Sequence, residues 1–256
     1  MPLQPANHDA ATRWAMTPRG LRMVSLEQLE VQRAVPDLFG RHFLQIGTWG
    51  GSTDWLEGSA MQHRAVLALG RNDAGQARVE AQRLPLAAKS VDAVLLPHTL
   101  EAVGSPHTLL REVSRVLTDR GRLLILGFNP YSVLGWRRAL GIAPRGLPAD
   151  ARYYSTGRIS DWLTLLDFEI AEVRRFGAGF PWLPARAVGA PFSPAALFAP
   201  LAENWLISAK KRVAPLNFVG RIARAQVKPL VPVTVGGVAV VSGARRAANE
   251  PDGHAP

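Results

Sequence analysis

The sequence predicts an α/β sandwich built on a mostly parallel sheet, and three observations carry that prediction. The apolar runs at residues 65–69, 91–96 and 123–126 are nearly continuous, as strands buried on both faces must be. Between the last two runs lies a helical stripe, Leu109, Leu110, Val113, Val116 and Leu117, spaced to face one side of a sheet. Ahead of all of them, the strand His42-Phe43-Leu44-Gln45-Ile46 runs directly into the glycine-rich turn Gly47-Thr48-Trp49-Gly50-Gly51. Strands alternating with helices at this spacing give parallel crossovers.

Taken in order, Ser25 followed by Gln28 reads as a capping box that opens a helix over residues 26–35, stopped by Pro36. Residues 42–46 and 65–69 are the first two strands, and 79–81 a short third. The 91–96 run is the fourth. Ser105 then caps a helix with Pro106 in its first turn. Asp119-Arg120-Gly121 turns the chain into the 123–126 strand. A helix over 156–166 precedes strands at 169–175 and 205–212.

Composition narrows the chemistry. The chain of 256 residues has no cysteine, which excludes disulfides, thiolate nucleophiles and cysteine-ligated metals. Six scattered histidines show no metal-ligand spacing, so no metal is expected. The net charge of +10 sits almost entirely in residues 129–256, while the first half is near neutral. Lys210-Lys211-Arg212, with Arg221, Arg224 and Lys228 beyond, suits nucleic-acid phosphates, but no nucleic-acid module surrounds it, and a solvated tail is the favoured reading. The N-terminus lacks the apolar run of a signal peptide, and no uncharged stretch reaches the length of a membrane span, so a cytoplasmic location is expected. Oligomeric state is left open.

A strand that ends in a glycine-rich turn lets backbone approach a ligand closely at the carboxyl end of a sheet. Here the turn does not match the Gly-x-Gly-x-x-Gly dinucleotide pattern. The blocks that follow are more specific: Glu80-Ala81-Gln82-Arg83-Leu84-Pro85-Leu86, then Ser90-Val91-Asp92-Ala93-Val94-Leu95-Leu96-Pro97-His98-Thr99-Leu100-Glu101. After them come Leu110-Arg111-Glu112-Val113-Ser114-Arg115-Val116-Leu117 and Gly121-Arg122-Leu123-Leu124-Ile125. In order and spacing they resemble the class I S-adenosylmethionine-dependent methyltransferases of type 11. The resemblance is strong over about residues 40–128 and fainter to about 212.

That resemblance implies a Rossmann-like fold with a seven-stranded, mostly parallel sheet and helices on both faces, with S-adenosylmethionine as cofactor. It implies that Gly47 and Gly51 lie under the methionine and ribose portions, that Glu80 meets the adenine amino group, and that Leu96, Pro97 and His98 line the strand exit beside the sulfonium and the methyl acceptor. The chain departs from the family at three places. Gln45 stands where an acid is usual, and Trp49 stands for a glycine, its indole either closing the pocket or stacking on adenine. The region that normally supplies a ribose-binding acid reads Ala68-Leu69-Gly70, with Asp73 the nearest acid. Losing that acceptor weakens binding by about 1–3 kcal/mol.

Methyl transfer from a sulfonium needs alignment, and a base only where the acceptor must lose a proton. His98 is the candidate base, because it follows a buried strand at the ligand-binding end of the sheet. Glu101 either orients it or begins a helix. Phe128-Asn129-Pro130-Tyr131 follows the fifth strand and is not the two-proline motif of amino-group methyltransferases, which follows the fourth; Asn129 is kept as a pocket residue. Tyr153 and Tyr154 either line the acceptor pocket or pack. The expected organisation is an N-terminal extension over 1–39, a methyltransferase-like domain over 40–214 with an apolar insertion near 177–204, and a basic, partly disordered tail over 215–256. The leading function is methyl transfer to an unidentified acceptor, a small molecule ahead of RNA. A catalytically degenerate scaffold and an RNA-associated protein are the alternatives.

Overall fold

A computed structural model of the chain describes residues 14–49, 55–56, 59–69, 75–142, 152–177 and 200–212. Two compact units divide the chain, Met1–Pro215 and Leu216–Pro256, and every described residue belongs to the first. The region beyond 212 and most of the expected insertion lie outside the described residues.

Helix α1 spans Pro18–Ala34 and passes through a short turn into β1, His42–Ile46. Then come β2 (His63–Ala68), β3 (Ala77–Arg78), β4 (Val91–Pro97) and the single-turn helix α2 (Thr99–Ala102). They are followed by α3 (Pro106–Val116), β5 (Leu117–Phe128), α4 (Val133–Ala139) and α5 (Thr156–Leu165), and last by β6 (Phe168–Phe176) and β7 (Asn204–Lys211).

The seven strands form one sheet in the order β3-β2-β1-β4-β5-β7-β6. All neighbours are parallel except β7, which runs antiparallel to both β5 and β6. Strand order reverses between β1 and β4, so the carboxyl ends of those two strands flank the crevice where open α/β sheets bind ligands.

Two apolar layers cover the sheet, as strand alternation requires. Leu44, Ile46, Val94, Leu96, Leu123 and Ile125 face one way and meet α3 and α5 through Leu109, Val113, Ile159 and Leu163. Phe43, Ala93, Leu95, Leu124 and Leu126 face the other way and meet Met23, Val24 and Val31 of α1.

Several expected boundaries move. The first helix begins eight residues before the expected start: Thr17 caps it by accepting from the Gly20 amide, and Pro18 supplies the first turn. Ser25 is not a cap but a mid-helix residue, its hydroxyl donating to the Leu21 carbonyl at 2.9 Å. Ser105 precedes α3 without a side-chain capping bond, because its hydroxyl pairs with that of Thr108 at 2.7 Å. The short third strand lies at Ala77–Arg78, two residues early. Asp119-Arg120-Gly121 is not a turn before β5 but an irregularity within it: pairing with β4 jumps from Val91↔Leu117 to Ala93↔Arg122.

Candidate functional site

Gly47 leaves β1 with φ +89°, a backbone region that L side chains rarely adopt, and a Cβ there would stand 2.8 Å from the Thr99 hydroxyl. That hydroxyl donates to the Ile46 carbonyl at 2.6 Å and so ties the exit of β4 to the end of β1. Next to Gly47, the Thr48 hydroxyl oxygen is buried and has no hydrogen-bond partner. Gln45, fully buried, donates to the Gly47 carbonyl and accepts from the Trp55 amide, stitching the turn together where the family has an acid. Gly51 lies outside the described residues. Glu80 is exposed just beyond β3 and forms an isolated bridge with Arg83.

At the β4 exit the two expected lining residues separate from the histidine. Leu96 points into the α3-side core and is fully buried there. Pro97 is buried as the last residue of the strand. His98 turns to the opposite layer with φ 51°, a left-handed conformation that histidine adopts more readily than most side chains. Its Nδ1 lies 3.0 Å from Glu101 and its Nε2 2.9 Å from Glu27 of α1. Burial by itself lowers the His98 pKa, but the charges and hydrogen bonds of Glu27 and Glu101 outweigh it and push the value up to about 9. At neutral pH His98 is therefore an imidazolium with both N–H groups engaged. Burial raises the Glu101 pKa, against the pull of His98 and of the Phe128 amide that donates to its other oxygen.

Glu27 is the hub of this cluster. Besides His98, it accepts from the Trp49 indole at 2.8 Å and from Asn204 Nδ2 at 2.7 Å. The Trp49 ring is thus directed under α1, 4.5 Å from His98 and 5.5 Å from Phe128 between ring centroids. Next to Asn204, Glu203 pairs with Arg19 of α1, and burial raises its pKa against that pairing. The adjacent tyrosines part company. Tyr153 stacks 5.0 Å from Phe128 beside the cluster, and burial raises the pKa of its hydroxyl. Tyr154 packs 5.0 Å from Trp162 in the α3-side core. Asn129 is a clamp for the chain entering β7, donating to the carbonyls of Pro200 and Ala202 at 2.7 and 2.8 Å.

The structure thus brings together His98, Glu101, Trp49 and Tyr153, and leaves Glu80, Leu96, Tyr154 and Asn129 outside that cluster. Glu27, Asn204, Glu203 and Thr48 were not legible as site residues. For Glu27 a signal did exist: it occupies a core position in the helical stripe Met23, Val24, Glu27, Val31, Ala34. A carboxylate at such a position is seldom left buried unless it is paired.

This architecture is that of a class I methyltransferase, and the comparisons give the family. Residues 58–125 match the family model described as "Methyltransferase domain", type 11. An Escherichia coli (strain K12) protein named uncharacterized protein YafS is 35% identical over 199 residues, covering 78% of this chain and 80% of that one. The Mycobacterium tuberculosis protein Rv2003c, also uncharacterized, is 28% identical over 174 residues, 64% of this chain and 60% of its own. A solved structure of an S-adenosylmethionine-dependent methyltransferase from Archaeoglobus fulgidus shares the fold, with a TM-score of 0.53 at 15% identity, covering 73% of this chain and 94% of that one. The chain belongs to the class I S-adenosylmethionine-dependent methyltransferases of type 11. It is an enzyme of that class, with S-adenosylmethionine as its cofactor.

One observation bears on a fit to that cofactor at its methionine end: the buried Thr48 hydroxyl is left without a partner at the exit of β1, where the missing Gly47 side chain makes room for the Thr99 hydroxyl. Among the described residues no helix is long and apolar enough to cross a membrane.

Proposed function

We infer that the chain methylates a small-molecule acceptor held between the exits of β1 and β4 and the underside of α1. The observation that carries this reading is the cover α1 forms over the strand ends. Through Glu27 it is bonded to His98 after β4 and to Asn204 at the start of β7, and Trp14 packs edge-on against Phe128 at the end of β5. A site roofed in this way favours a compact acceptor over a folded RNA.

Gly47 and Thr48 would hold the methionine end of S-adenosylmethionine, Glu80 its adenine, and Trp49 would wall the acceptor side. Bound there, the cofactor supplies a methyl group activated by its sulfonium. The contribution of the protein is alignment, exclusion of water and control of charge. His98 orients the cluster as a cation fixed between two carboxylates. It becomes a base only on losing its proton, so an acceptor that depends on His98 for deprotonation gives a rate that rises with pH toward about 9.

Calorimetry with S-adenosylhomocysteine tests the cofactor half of this reading. One-to-one binding is expected, weakened about fivefold to tenfold in Thr48→Val, the scale of one lost hydrogen bond. No heat at millimolar ligand would overturn it.

A further inference from the structure

Helix α4 ends in a group of large apolar side chains that the fold leaves in water. Trp136 is 60% exposed, Leu140 69% and Ile142 59%. Exposed apolar side chains are ordinary one at a time, but a group of them at one point of a surface marks an interaction site. Trp136 and Leu140 are four residues apart on one helix face, and the bond from the Leu140 amide to the Trp136 carbonyl, 3.0 Å, carries the turn through both. Gly141 then stops the helix with φ +73°, and the amides of Gly141 and Ile142 donate to the carbonyls of Arg138 and Arg137, each at 2.9 Å. A helix end closed in this way folds the residue after the glycine back along the last turn, so Ile142 joins the other two. The end stands clear of the body of the protein: a Cβ on Gly141 would meet nothing within 4 Å.

The charge around this tip has one sign. Arg137, next to Trp136, is exposed, and its guanidinium has no hydrogen-bond or ion-pair partner among the described residues. Arg138 turns inward and lies over the Tyr153 ring, 4.8 Å from its centroid. Between Asp119 and Asp150 the chain carries five arginines and no carboxylate. Because α4 follows β5, the tip projects from the same end of the sheet as the site.

We propose that this helix end docks on an anionic lipid surface, with Trp136, Leu140 and Ile142 entering the boundary between headgroups and acyl chains and Arg137 meeting the headgroup phosphates. The tip is a single projecting turn and not a groove, and a fluid surface receives it without a shaped partner. An indole, apolar in its rings and polar at its N–H, suits that boundary. A second copy of the chain is a poorer cover. A two-fold contact through the tip sets Arg137 against Arg137, and it joins two chains that each carry a net charge of +10.

The test adds the full-length protein to vesicles of phosphatidylcholine alone and to vesicles with an equal share of phosphatidylglycerol, and reads binding by cosedimentation. Binding to the anionic vesicles is expected to exceed that to the neutral ones by at least about tenfold and to weaken with salt. Arg137→Gln should lose about fivefold, the scale of one arginine at an anionic surface. Leu140→Ser combined with Ile142→Ser should lose at least about tenfold. These side chains are exposed, so an unchanged melting temperature confirms that the variants are folded. Brominated acyl chains should quench the fluorescence of the wild type, and Trp136→Phe, which keeps an apolar ring at the tip, should lose that quenching. No binding to the anionic vesicles, equal binding to both kinds, or quenching that persists in Trp136→Phe overturns the proposal. Binding that none of the variants weakens overturns it too, since the lipid then lies on another basic segment. So does a dimer in solution that Leu140→Ser with Ile142→Ser dissociates in place of vesicle binding, which would make a second copy the cover.

Discussion

Glu27 accepts from three donors on three different elements: the imidazolium of His98, the indole of Trp49 and the amide of Asn204. A glutamine in its place offers one oxygen and one NH2, so at least one donor would face another donor. Glu27→Gln is therefore expected to destabilise the fold by about 3–5 kcal/mol, the scale of breaking a buried ion pair on one side, as denaturant midpoints would show. The same cluster sets a pH dependence. The pKa of His98 in the fold, about 9, lies above its ordinary value of 6.5, so its contribution to stability is complete below 6.5 and lost as pH rises through 9. The raised pKa values of Glu101 and Glu203 act in the same direction. Melting temperature should fall between pH 6.5 and 9.5, and His98→Gln should flatten that fall. A melting curve that rises over the interval would show that the imidazolium is not held as described. In the sequence His98 stood out because it follows a buried strand. Its partner Glu27 lies 71 residues earlier, and no local pattern links the two.

At the scale of elements, the β5–β7 pairing shows how a small residue places a large one. Gly127 of β5 lies directly opposite Trp205 of β7, and a Cβ on Gly127 would come within 2.3 Å of the indole ring. That indole cannot withdraw: it is 2% exposed, and its N–H is shared between the carbonyls of Phe128 and Tyr154. Gly127→Ala is expected to cost about 1–3 kcal/mol by overpacking, measured by chemical unfolding, with Trp205 fluorescence reporting the displaced ring. Helix α3 was legible because its stripe is wholly apolar, whereas the start of α1 was set eight residues too late, because Ser25 followed by Gln28 imitates a capping box inside the helix. Glu27 and Glu30 interrupt its apolar pattern, yet both are buried on the core face, Glu27 by the site and Glu30 by Arg33 and Arg174.

For the whole molecule, ligand binding and stability are linked. S-adenosylhomocysteine at a hundred times its dissociation constant should add about 2.7 kcal/mol and raise the melting temperature by roughly 5–10 °C, read by calorimetric scanning. An unchanged melting temperature at that saturation would mean that the ligand does not favour the native state.

The sequence by itself determined the α/β class, the central strands and the family blocks between Glu80 and Ile125, because these rest on local periodicity and on motifs short enough to read along the chain. It also placed Gly47 and His98 at strand ends. Tertiary structure alone decided the rest. The sheet order put the exits of β1 and β4 side by side, and the irregular segment ahead of α5 sent Tyr153 and Tyr154 to opposite layers. The packing of α1 across the strand ends brought Glu27 to His98 and Asn204. Those contacts join residues far apart in the chain, and they form because buried charge and buried amide must find partners wherever the fold provides them.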